Sequence, residues 1–333
     1  MQNKRTLTGI KPTGTPHLGN YIGAIKPALE LAQNSSQSFY FIADYHALTS
    51  EHNAQDMRRQ TIEVAATWLA CGLDPEKVCI YKQSDIPEIF ELNWVLACFT
   101  PKGLMNRAHS YKASVAKNEE AGEDADAGIN MGLYNYPVLM SADILLFDID
   151  LVPVGEDQIQ HIEIARDIAG RMNHNYGREI LKQPEYFVQS PISVIGLDGR
   201  KMSKSYGNAF PLFEEPKALR KNIMRFVTDS SSPEEPKEPQ GNGLFAIYKQ
   251  FASAEQVAEM DRLFRTGVGW GTVKGMLYDA IEAKIAEPRE RFKELMAKPD
   301  EINDILATGA ARARSIGKGV LERVRDAVGI RIS

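Results

Sequence analysis

The sequence predicts an α/β fold, with a Rossmann-like parallel sheet domain followed by an all-α C-terminal domain. In the first two hundred residues, short apolar runs alternate with amphipathic helical stretches, which is typical of a parallel sheet covered by helices on both faces. Beyond residue 212 the periodicity is helical throughout. Because single cores usually stop growing at about 250–300 residues, the 333-residue chain is expected to form two domains, 1–211 and 212–333.

Strands and helices alternate in the first domain. Apolar and β-branched runs predict strands at 6–10, 38–48, 77–83 and 150–154. Helical spacing of apolar residues predicts helices at 17–33, 55–72, 87–99, 129–147 and 157–171. The helix 129–147 is apolar almost all round and is therefore expected to be buried. In such sheets, ligands bind beyond the carboxyl ends of the strands, where the strand order reverses.

Two segments have the composition of loops. The acidic, Gly/Ala-rich stretch 116–128 is predicted to be a mobile surface loop, and 230–243 is rich in Pro, Ser and Glu. Helices are predicted after the second loop at 244–251, 254–264, 273–297 and 300–328.

Composition excludes several classes of protein. The net charge of −5 argues against a general nucleic-acid coat protein, although local basic segments occur at 217–225 and 311–331. These segments could contact phosphates or form solvated helix faces. Three cysteines without CxxC spacing predict reduced thiols and a cytoplasmic protein, without structural disulfide or zinc. Neither a signal peptide nor an apolar run of about 18 residues is found, so no membrane partner is expected.

The stretch "GIKPTGTPHLGN", residues 9–20, joins the first strand to the first helix. Gly9, Gly14 and Gly19 allow a ligand to approach the backbone, and a helix start offers N–H groups to an anion. His17 and Asn20 add polar side chains at the same place. The spacing is neither GxGxxG nor a Walker loop, and a plain tight turn is the alternative.

The stretch "DGRKMSKSYGN", residues 198–208, holds two lysines in a loop bounded by glycines. Lys201 and Lys204 could close onto a phosphate chain and neutralise the charge that develops there. Solvated surface lysines are the alternative.

Together the two stretches resemble the class I aminoacyl-tRNA synthetases. Residues 17–20 are similar to the His-Ile-Gly-His motif of that family, and residues 201–205 match its Lys-Met-Ser-Lys-Ser loop at every position. Asn20 replaces the final histidine, which is usual in the tryptophan and tyrosine branch. Within that branch, 136–147 and 152–169 closely resemble the tryptophanyl-tRNA synthetases, and the resemblance extends from about residue 6 to the C-terminus.

The resemblance implies a homodimer with an adenylate-forming sheet domain and a helical domain that reads the anticodon of tRNA(Trp). ATP with Mg²⁺ would be the co-substrate, without a dedicated protein metal site. The tryptophan carboxylate would attack the α-phosphorus, and the adenylate would then pass to the terminal ribose of the tRNA. His17, Lys201 and Lys204 are the implied catalytic residues.

An indole is apolar with one N–H donor, so its pocket needs apolar walls and a single acceptor. Asp143 is a lone carboxylate in "VLMSADILL", and the resemblance assigns it to the indole N–H; a helix cap or a salt-bridged acid is the alternative. The resemblance places Tyr136 and Gln158 on the α-ammonium group; a core aromatic and an exposed residue are their alternatives. The remaining candidates for the tryptophan pocket are Leu7, His46, Met140, Ile144, Val152 and Val154.

Residues around the two motifs are the candidates for ATP. Asp157, in the turn 155–158, is expected to contact the ribose, or to cap the following helix, or both. Lys112 is a further candidate for the phosphates. Lys11 occupies a position where many family members carry glutamine, and so adds a cation. The predicted ATP set is Lys11, Pro12, Thr13, Gly19, Asn20, Gly155, Glu156, Asp157, Ile192, Lys201, Met202, Ser203, Lys204 and Ser205.

Three other functions fit parts of the sequence. A tyrosyl-tRNA synthetase shares the fold and chemistry, but its pocket needs partners for a phenol, and no Tyr/Asp pair suits that role. A small nucleotidyltransferase would lack the helical C-terminal domain. A non-enzymatic RNA-binding module would be basic overall, unlike this chain.

Overall fold

A parallel five-stranded sheet forms the centre of the described chain, which comprises residues 4–188 and 194–331 of this computed structural model, with Lys204 described by its backbone alone. The strands are β1 (Arg5–Ile10), β2 (Gln37–Ile42), β3 (Cys79–Lys82), β4 (Leu151–Val154) and β5 (Glu185–Val188). Their order is β3-β2-β1-β4-β5, and every pair is parallel. The predicted Rossmann-like α/β fold is confirmed.

The sheet opens between its two central strands. β1 pairs with β2 along its whole length, from Arg5 to Ile10, but its register with β4 within the described chain is the single pair Thr6 and Leu151. The strand order reverses at β1, so this is the switch point at which α/β sheets bind ligands. Divergence of β1 from β4 leaves a crevice at the carboxyl ends of these strands.

The helices predicted in the sheet region are found, together with two at 102–105 and 109–120 that were not predicted, and the strand predicted at 38–48 ends at Ile42 and is followed by a short helix. The helices of this region are α1 (Leu18–Asn20), α2 (Lys26–Gln33), α3 (Asp44–Ala47), α4 (Ala54–Ala70), α5 (Glu88–Phe99), α6 (Lys102–Met105), α7 (His109–Glu120), α8 (Met131–Leu145) and α9 (Ile159–Tyr176). Short 3₁₀ turns occur at Gln83–Asp85, Glu156–Gln158 and Lys204–Tyr206.

The first predicted helix contains a π-helical turn. Residues Tyr21–Ile25 join α1 to α2, and the Lys26 N–H bonds to the Tyr21 carbonyl five residues earlier. Pro27 explains the change, because its ring excludes the carbonyl of the residue four positions back from normal α-helical geometry. Gly23 and Ala24 of this turn face the crevice described below.

The prediction of a loop over 116–128 is wrong at its start. Helix α7 continues to Glu120, and turns follow it. The Asn118 amide donates to the carbonyls of Ala125 and Ala127, so the turns fold back onto the helix end. Helix α8 is mostly buried from Pro137 onward as expected, with Leu139 and Met140 partly buried, but its first residue, Met131, is 66 % exposed. Strand β5 was not predicted, because its four residues are mostly exposed and show no apolar alternation.

The last third of the described chain is helical, as predicted. Its helices are α10 (Pro216–Met224), α11 (Gly243–Tyr248), α12 (Ala254–Thr266), α13 (Trp270–Met296) and α14 (Pro299–Val328). The domain division at residues 211 and 212 stays a prediction. No helix in the described part of the chain is long and apolar enough to cross a membrane.

The final helix packs against the sheet. Small and branched residues of α14 join the core formed by the sheet, α5, α8 and α9; they are Ala310, Ala313, Val320, Leu321 and Val324. Gly309 lies so close to β3 that a Cβ there would overlap the carbonyl oxygen of Ile80. The absence of a side chain at residue 309 therefore allows α14 to reach the edge strand.

Arginines of α14 bond to protein groups. Arg312 donates to the carbonyls of Pro75, Glu76 and Val78. The other arginine pairs join Arg314 to Glu88, Arg323 to Asp148, Arg325 to Glu91 and Arg331 to Asp326. These five arginines of the basic segment 311–331 are therefore engaged with the protein and do not form a simply solvated face, while contact of the segment with phosphates stays a prediction.

Replacing Gly309 with alanine should destabilise the fold. The new Cβ would meet Ile80 backbone atoms, including its nitrogen at 3.0 Å. Backbone cannot yield as a side-chain tip can, so we expect the free energy of unfolding to fall by about 2 kcal/mol or more, measured by urea denaturation.

Gly319→Ala is the matched control on the same helix, since a Cβ at residue 319 has open space around it. It should raise stability by about 0.5–1 kcal/mol through helix propensity. Equal effects of the two substitutions would contradict the close packing of α14 on β3.

Candidate active site

A cavity of about 410 Å³ lies in the crevice between β1 and β4. It contains every residue predicted for tryptophan: Leu7, His46, Tyr136, Met140, Asp143, Ile144, Val152, Val154 and Gln158. Lys11 and Gly155, predicted for ATP, also line it, together with Thr8, Gly9, Gly23, Ala24, Ala28, Phe41, Ala43 and Pro153. The residues come from β1, β2 and β4 and the segments that follow them, from the π-helical turn and α2, from α3 and from one face of α8. Their spacing on α8 (136, 140, 143, 144) places them on the same helical face.

Asp143 is the carboxylate of this cavity, and it is fully buried. Nε2 of Gln83 donates to both of its oxygens at 2.9 Å, and Nε2 of His46 lies 2.9 Å from Oδ2. A carboxylate has about four acceptor positions. Three are used, so Oδ1 retains one for a further donor.

Burial determines the protonation of Asp143. Removal from water raises the pKa of this carboxyl, while the hydrogen bonds from His46 and Gln83 act in the opposite direction. Burial is the larger of these effects, so the pKa is raised overall, and the two donors limit the rise by stabilising the charged form. Asp143 does not cap a helix; its partners are the Gln83 amide and the His46 imidazole, and the contact with His46 is an ion pair whenever that imidazole is protonated.

Gln83 was missed by sequence analysis. It lies in the short turn after β3, is fully buried, and its Oε1 accepts the backbone N–H of His46 at 3.3 Å. It thus holds both His46 and Asp143. The sequence "YKQSD" carries one available signal, a glutamine at the carboxyl end of a parallel strand, where polar side chains commonly face the ligand.

An aromatic group covers the other side of the cavity. The Tyr136 ring lies 4.3 Å from that of His46 and 5.3 Å from that of His161, centroid to centroid. Lys11 Nζ is 4.7 Å from the centroid of the Tyr136 ring. Burial raises the pKa of Tyr136 to about 12, and the charges of Asp143 and Asp157 add to this effect. The phenol therefore stays protonated at neutral pH and can both donate and accept.

The glycine-rich loop is organised by a reciprocal cap. The His17 backbone N–H donates to Oδ1 of Asn20 at 3.0 Å, and the Asn20 N–H donates to Nδ1 of His17 at 3.3 Å. Because Nδ1 accepts, the neutral imidazole carries its proton on Nε2. A Cβ at Gly19 would lie 3.0 Å from the His17 ring, which explains the glycine between these two residues.

Asn208 organises the lysine loop. It is buried, and its Oδ1 accepts the Ser203 N–H at 2.8 Å. Its amide donates to Asp198 at 2.7 Å and to the Lys201 carbonyl at 3.1 Å. Lys201 and Ser205 are exposed, whereas Met202 is buried. The loop therefore has an anchored base and presents the Lys201 side chain to solvent.

The two motifs lie side by side. His17 and Pro211 form an antiparallel bridge, and the Leu212 N–H donates to the Pro16 carbonyl at 3.0 Å. The Met202 sulfur is 3.4 Å from the position that a Cβ would take on Gly19. Although about 180 residues apart in sequence, the two loops share one apolar cluster that includes Leu18 and Met202.

The turn 155–158 borders the cavity from the β4 side. The Gln158 amide donates to Oδ2 of Asp157 at 3.0 Å. Asp157 caps neither the 3₁₀ turn nor α9, so that alternative is wrong. Asp157 is exposed and therefore free to meet a ligand from solvent. A Cβ on Gly155 would lie 2.7 Å from Oδ1 of Asp157, so a glycine is needed here.

The other described residues of the predicted ATP set do not line the cavity. Pro12 is buried, Thr13 is exposed, and both follow β1; Glu156 is exposed. Lys112 is exposed on α7. Ile192 lies outside the described residues. Within 4–188 and 194–331, no group of three or more His, Cys, Asp or Glu side chains could hold a metal ion.

Comparisons with known proteins agree on one family. The family model of class I tRNA synthetases (W and Y) matches residues 2–285. A tryptophan–tRNA ligase of Neisseria meningitidis is 53% identical over 99% of both chains, and one of Pseudomonas aeruginosa is 54% identical over 98% of this chain and 74% of its own. A Campylobacter jejuni tryptophanyl-tRNA synthetase, solved with ADP and tryptophan, has a TM-score of 0.86 at 43% identity and covers 98% of this chain and 99% of its own.

The chain therefore belongs to the class I aminoacyl-tRNA synthetases, in the family of the tryptophan and tyrosine enzymes. Within that family it groups with the tryptophan–tRNA ligases, which confirms the resemblance found in the sequence. A tyrosyl-tRNA synthetase from Archaeoglobus fulgidus shares the fold at 18% identity and a TM-score of 0.65, so the tyrosine alternative is not favoured.

His161 should make stability depend on pH. Burial, aided by the charges of His46, His109 and Lys11 and opposed by Asp157, lowers the pKa of His161 to about 4 from an ordinary 6.5. The unfolded chain therefore binds more protons between these values, so stability is full above pH 6.5 and falls as the pH drops to 4. We expect this group alone to contribute up to about 3 kcal/mol to that fall.

His161→Phe keeps an aromatic ring against Tyr136 and removes the titration. Its free energy of unfolding, measured by urea denaturation at several pH values, should fall less steeply with acid than that of the unaltered protein. His174→Gln, an exposed position on the same helix, should leave the slope unchanged. Parallel profiles for His161→Phe and the unaltered protein would show that His161 is not held neutral.

Proposed function

We propose that the cavity between β1 and β4 of this tryptophan–tRNA ligase binds L-tryptophan, and that the loops at 9–20 and 201–205 bind the ATP that activates it. One observation carries the proposal. A buried carboxylate with one open acceptor position stands in an apolar cavity at the switch point, beside the two adjoining motif loops.

The cavity suits an indole better than a phenol or a benzene ring. Oδ1 of Asp143 accepts the indole N–H, while Met140, Ile144 and Val152 form apolar walls. A side chain without a donor, such as that of phenylalanine, would leave the buried carboxylate without that partner. Phenylalanine would therefore bind less tightly than tryptophan. Tyr136 and Gln158, at the mouth of the cavity, take the α-ammonium group.

Activation requires no protein nucleophile. The tryptophan carboxylate forms a bond to the α-phosphorus of ATP, the bond from that phosphorus to the bridging oxygen breaks, and pyrophosphate leaves with the electron pair. Negative charge grows on the departing oxygens, where Nε2–H of His17 and the ammonium groups of Lys201 and Lys204 stabilise it. Mg²⁺ arrives as part of the ATP substrate.

The anchored base of the lysine loop supports this role. Asn208 fixes the backbone at the Lys201 carbonyl and the Ser203 N–H, so the ammonium group of Lys201 can move while its attachment stays in place. A cation presented in this way can follow the pyrophosphate as it departs.

Amino-acid-dependent exchange of pyrophosphate into ATP tests the proposal without tRNA. Each of the twenty amino acids is supplied in turn, and we expect exchange with tryptophan alone. Lys201→Ala should lower the maximal exchange rate by about 100-fold, because it removes charge stabilisation in the transition state. Tryptophan affinity, measured by equilibrium dialysis, should change less than about threefold.

Lys217→Ala is the control, since it removes an exposed lysine on α10, away from the cavity. Its exchange should equal that of the unaltered protein. Exchange with tyrosine would overturn the assignment of the pocket. Equal losses of rate and tryptophan affinity in Lys201→Ala would overturn the role of the loop.

tRNA(Trp) is the proposed acceptor in the second step. Since five arginines near the C-terminus bond to protein groups, helix α10 is the better basic surface. Lys217, Arg220, Lys221 and Arg225 are all exposed there. Such a surface can meet phosphates despite the net charge of −5. Reduced cysteines, which the structure leaves unpaired, suit an enzyme of protein synthesis in the cytoplasm.

We further propose that the enzyme is a homodimer through an aromatic patch on α3 and α5. Phe90 and Trp94 are one helical turn apart, and Trp94 is 72 % exposed. The Tyr45 ring meets that of Phe90 at 4.4 Å, and Leu48, one turn further along the chain, is 50 % exposed. An apolar patch of this kind marks an interface.

Trp94→Lys should weaken dimerisation at least about 10-fold, because an ammonium group would replace a large apolar anchor. Sedimentation velocity over a range of micromolar concentrations measures the shift. Val227→Lys, at an apolar residue that is 64 % exposed outside the patch, should leave the dimer intact. A monomeric unaltered protein, or a variant that dimerises equally well, would rule out this interface.

A further inference from the structure

Lys11 differs from the other cations of the site in its position. Its side chain lines the same cavity as Tyr136, Asp143 and Gln158, whereas no described residue of 12–20 or 201–205 does so. The lysine therefore reaches toward the amino-acid pocket although its backbone belongs to the glycine-rich loop.

The ammonium group of Lys11 has no anionic partner among residues 4–188 and 194–331. Its contact is the face of the Tyr136 ring, at 4.7 Å from the centroid. The residue is half-buried, and burial lowers the pKa of its ammonium group. A partly desolvated cation without a counter-ion gains free energy when an anion enters beside it.

Two cations cannot share the Tyr136 ring without repulsion. Since Lys11 already lies over that face, the α-ammonium group of the substrate is left with the Tyr136 hydroxyl and the Gln158 amide oxygen. The group of opposite sign, the α-carboxylate, is then the part of an amino acid that suits the position of Lys11.

We propose that Lys11 binds the α-carboxylate of tryptophan, so that this chain selects its amino acid by a charge pair at the reacting end as well as by Asp143 at the indole end. The inference rests on the proposed function and adds to it a residue that selects for the carboxylate. It also moves Lys11 from the predicted ATP set to the amino-acid pocket.

The chemistry of the step predicts which kinetic constant Lys11 affects. As the carboxylate bonds to the α-phosphorus, its charge passes toward the pyrophosphate, and the attraction to Lys11 declines. The pair therefore stabilises the bound substrate more than the transition state, and its loss raises KM without lowering kcat. A lysine that bound the phosphates would lower kcat on removal.

Equilibrium dialysis with three ligands tests the carboxylate directly. Tryptophan carries both end groups, tryptamine lacks the carboxylate, and indole-3-propionate lacks the ammonium group. Lys11→Met should weaken binding of tryptophan and indole-3-propionate by about 10- to 100-fold, the range for a charge-assisted hydrogen bond. Tryptamine should bind equally well or more tightly, because a repulsive charge is gone.

Lys11→Arg retains the charge and should recover binding of both carboxylate ligands to within about 10-fold of the unaltered chain. Lys117→Met, at an exposed lysine on α7, should change no affinity. In pyrophosphate exchange, Lys11→Met should raise the KM for tryptophan by about the factor found in dialysis, with the KM for ATP unchanged and kcat no lower than that of the unaltered chain.

Equal losses for all three ligands would overturn the inference by showing general damage to the cavity. A raised KM for ATP with a lower kcat would assign Lys11 to the phosphates and overturn it as well. If the unaltered chain bound no tryptophan, both this inference and the proposed function would fail. If the unaltered chain bound tryptophan but Lys11→Met changed none of the three affinities, this inference alone would fail.

Discussion

The divergence of β1 from β4 is the constraint on which the site depends. The two strands register at one pair, Thr6 and Leu151, and then separate toward their carboxyl ends. Because all the strands are parallel, their carboxyl ends lie on one side of the sheet. The loops after β1, β2, β3 and β4 therefore all meet at this opening. Apolar ends of β1 and β4 line the cavity, and the polar turn after β3 supplies Gln83. The loss of pairing between β1 and β4 thus creates the cavity, and the parallel order of the strands places loops around it.

A buried charge in that space needs support from several elements. Asp143 stands on α8, His46 on α3 and Gln83 in the turn after β3, and their three side chains form one hydrogen-bonded group. Without these donors, burial would favour the neutral carboxyl, which would be a weaker acceptor. The group holds together because the sheet fixes all three elements at one edge. The arrangement explains how an apolar cavity can hold a buried carboxyl group with hydrogen-bond partners on both oxygens.

The helical last third of the chain contacts the sheet region in two places. Met202 and Leu18 share a cluster with α10 to α13, and α14 returns to pack on β3. Glu88, at the start of α5, pairs with Arg314, and α5 follows closely after the turn that contains Gln83. Helix α14 is thus in contact with α5, which follows the turn that supplies Gln83 to the hydrogen-bonded group of Asp143. Packing of small residues, notably Gly309, makes this contact possible.

The sequence by itself determined the α/β class, most strands and helices, and the two motif loops, because periodicity and motif spacing are local properties of the chain. It also allowed the family to be recognised, and through it all nine residues expected around tryptophan, which the structure places in one cavity. The tertiary structure decided what depends on distant contacts: the third partner Gln83, the exposed strand β5, and the protein partners of the α14 arginines. It also placed Lys11 in the same cavity as Tyr136 and Asp143, since the direction of a side chain is set by the neighbours that folding brings to it. A residue's type shows which bonds it can form, whereas its partners are chosen by the packing of the whole chain.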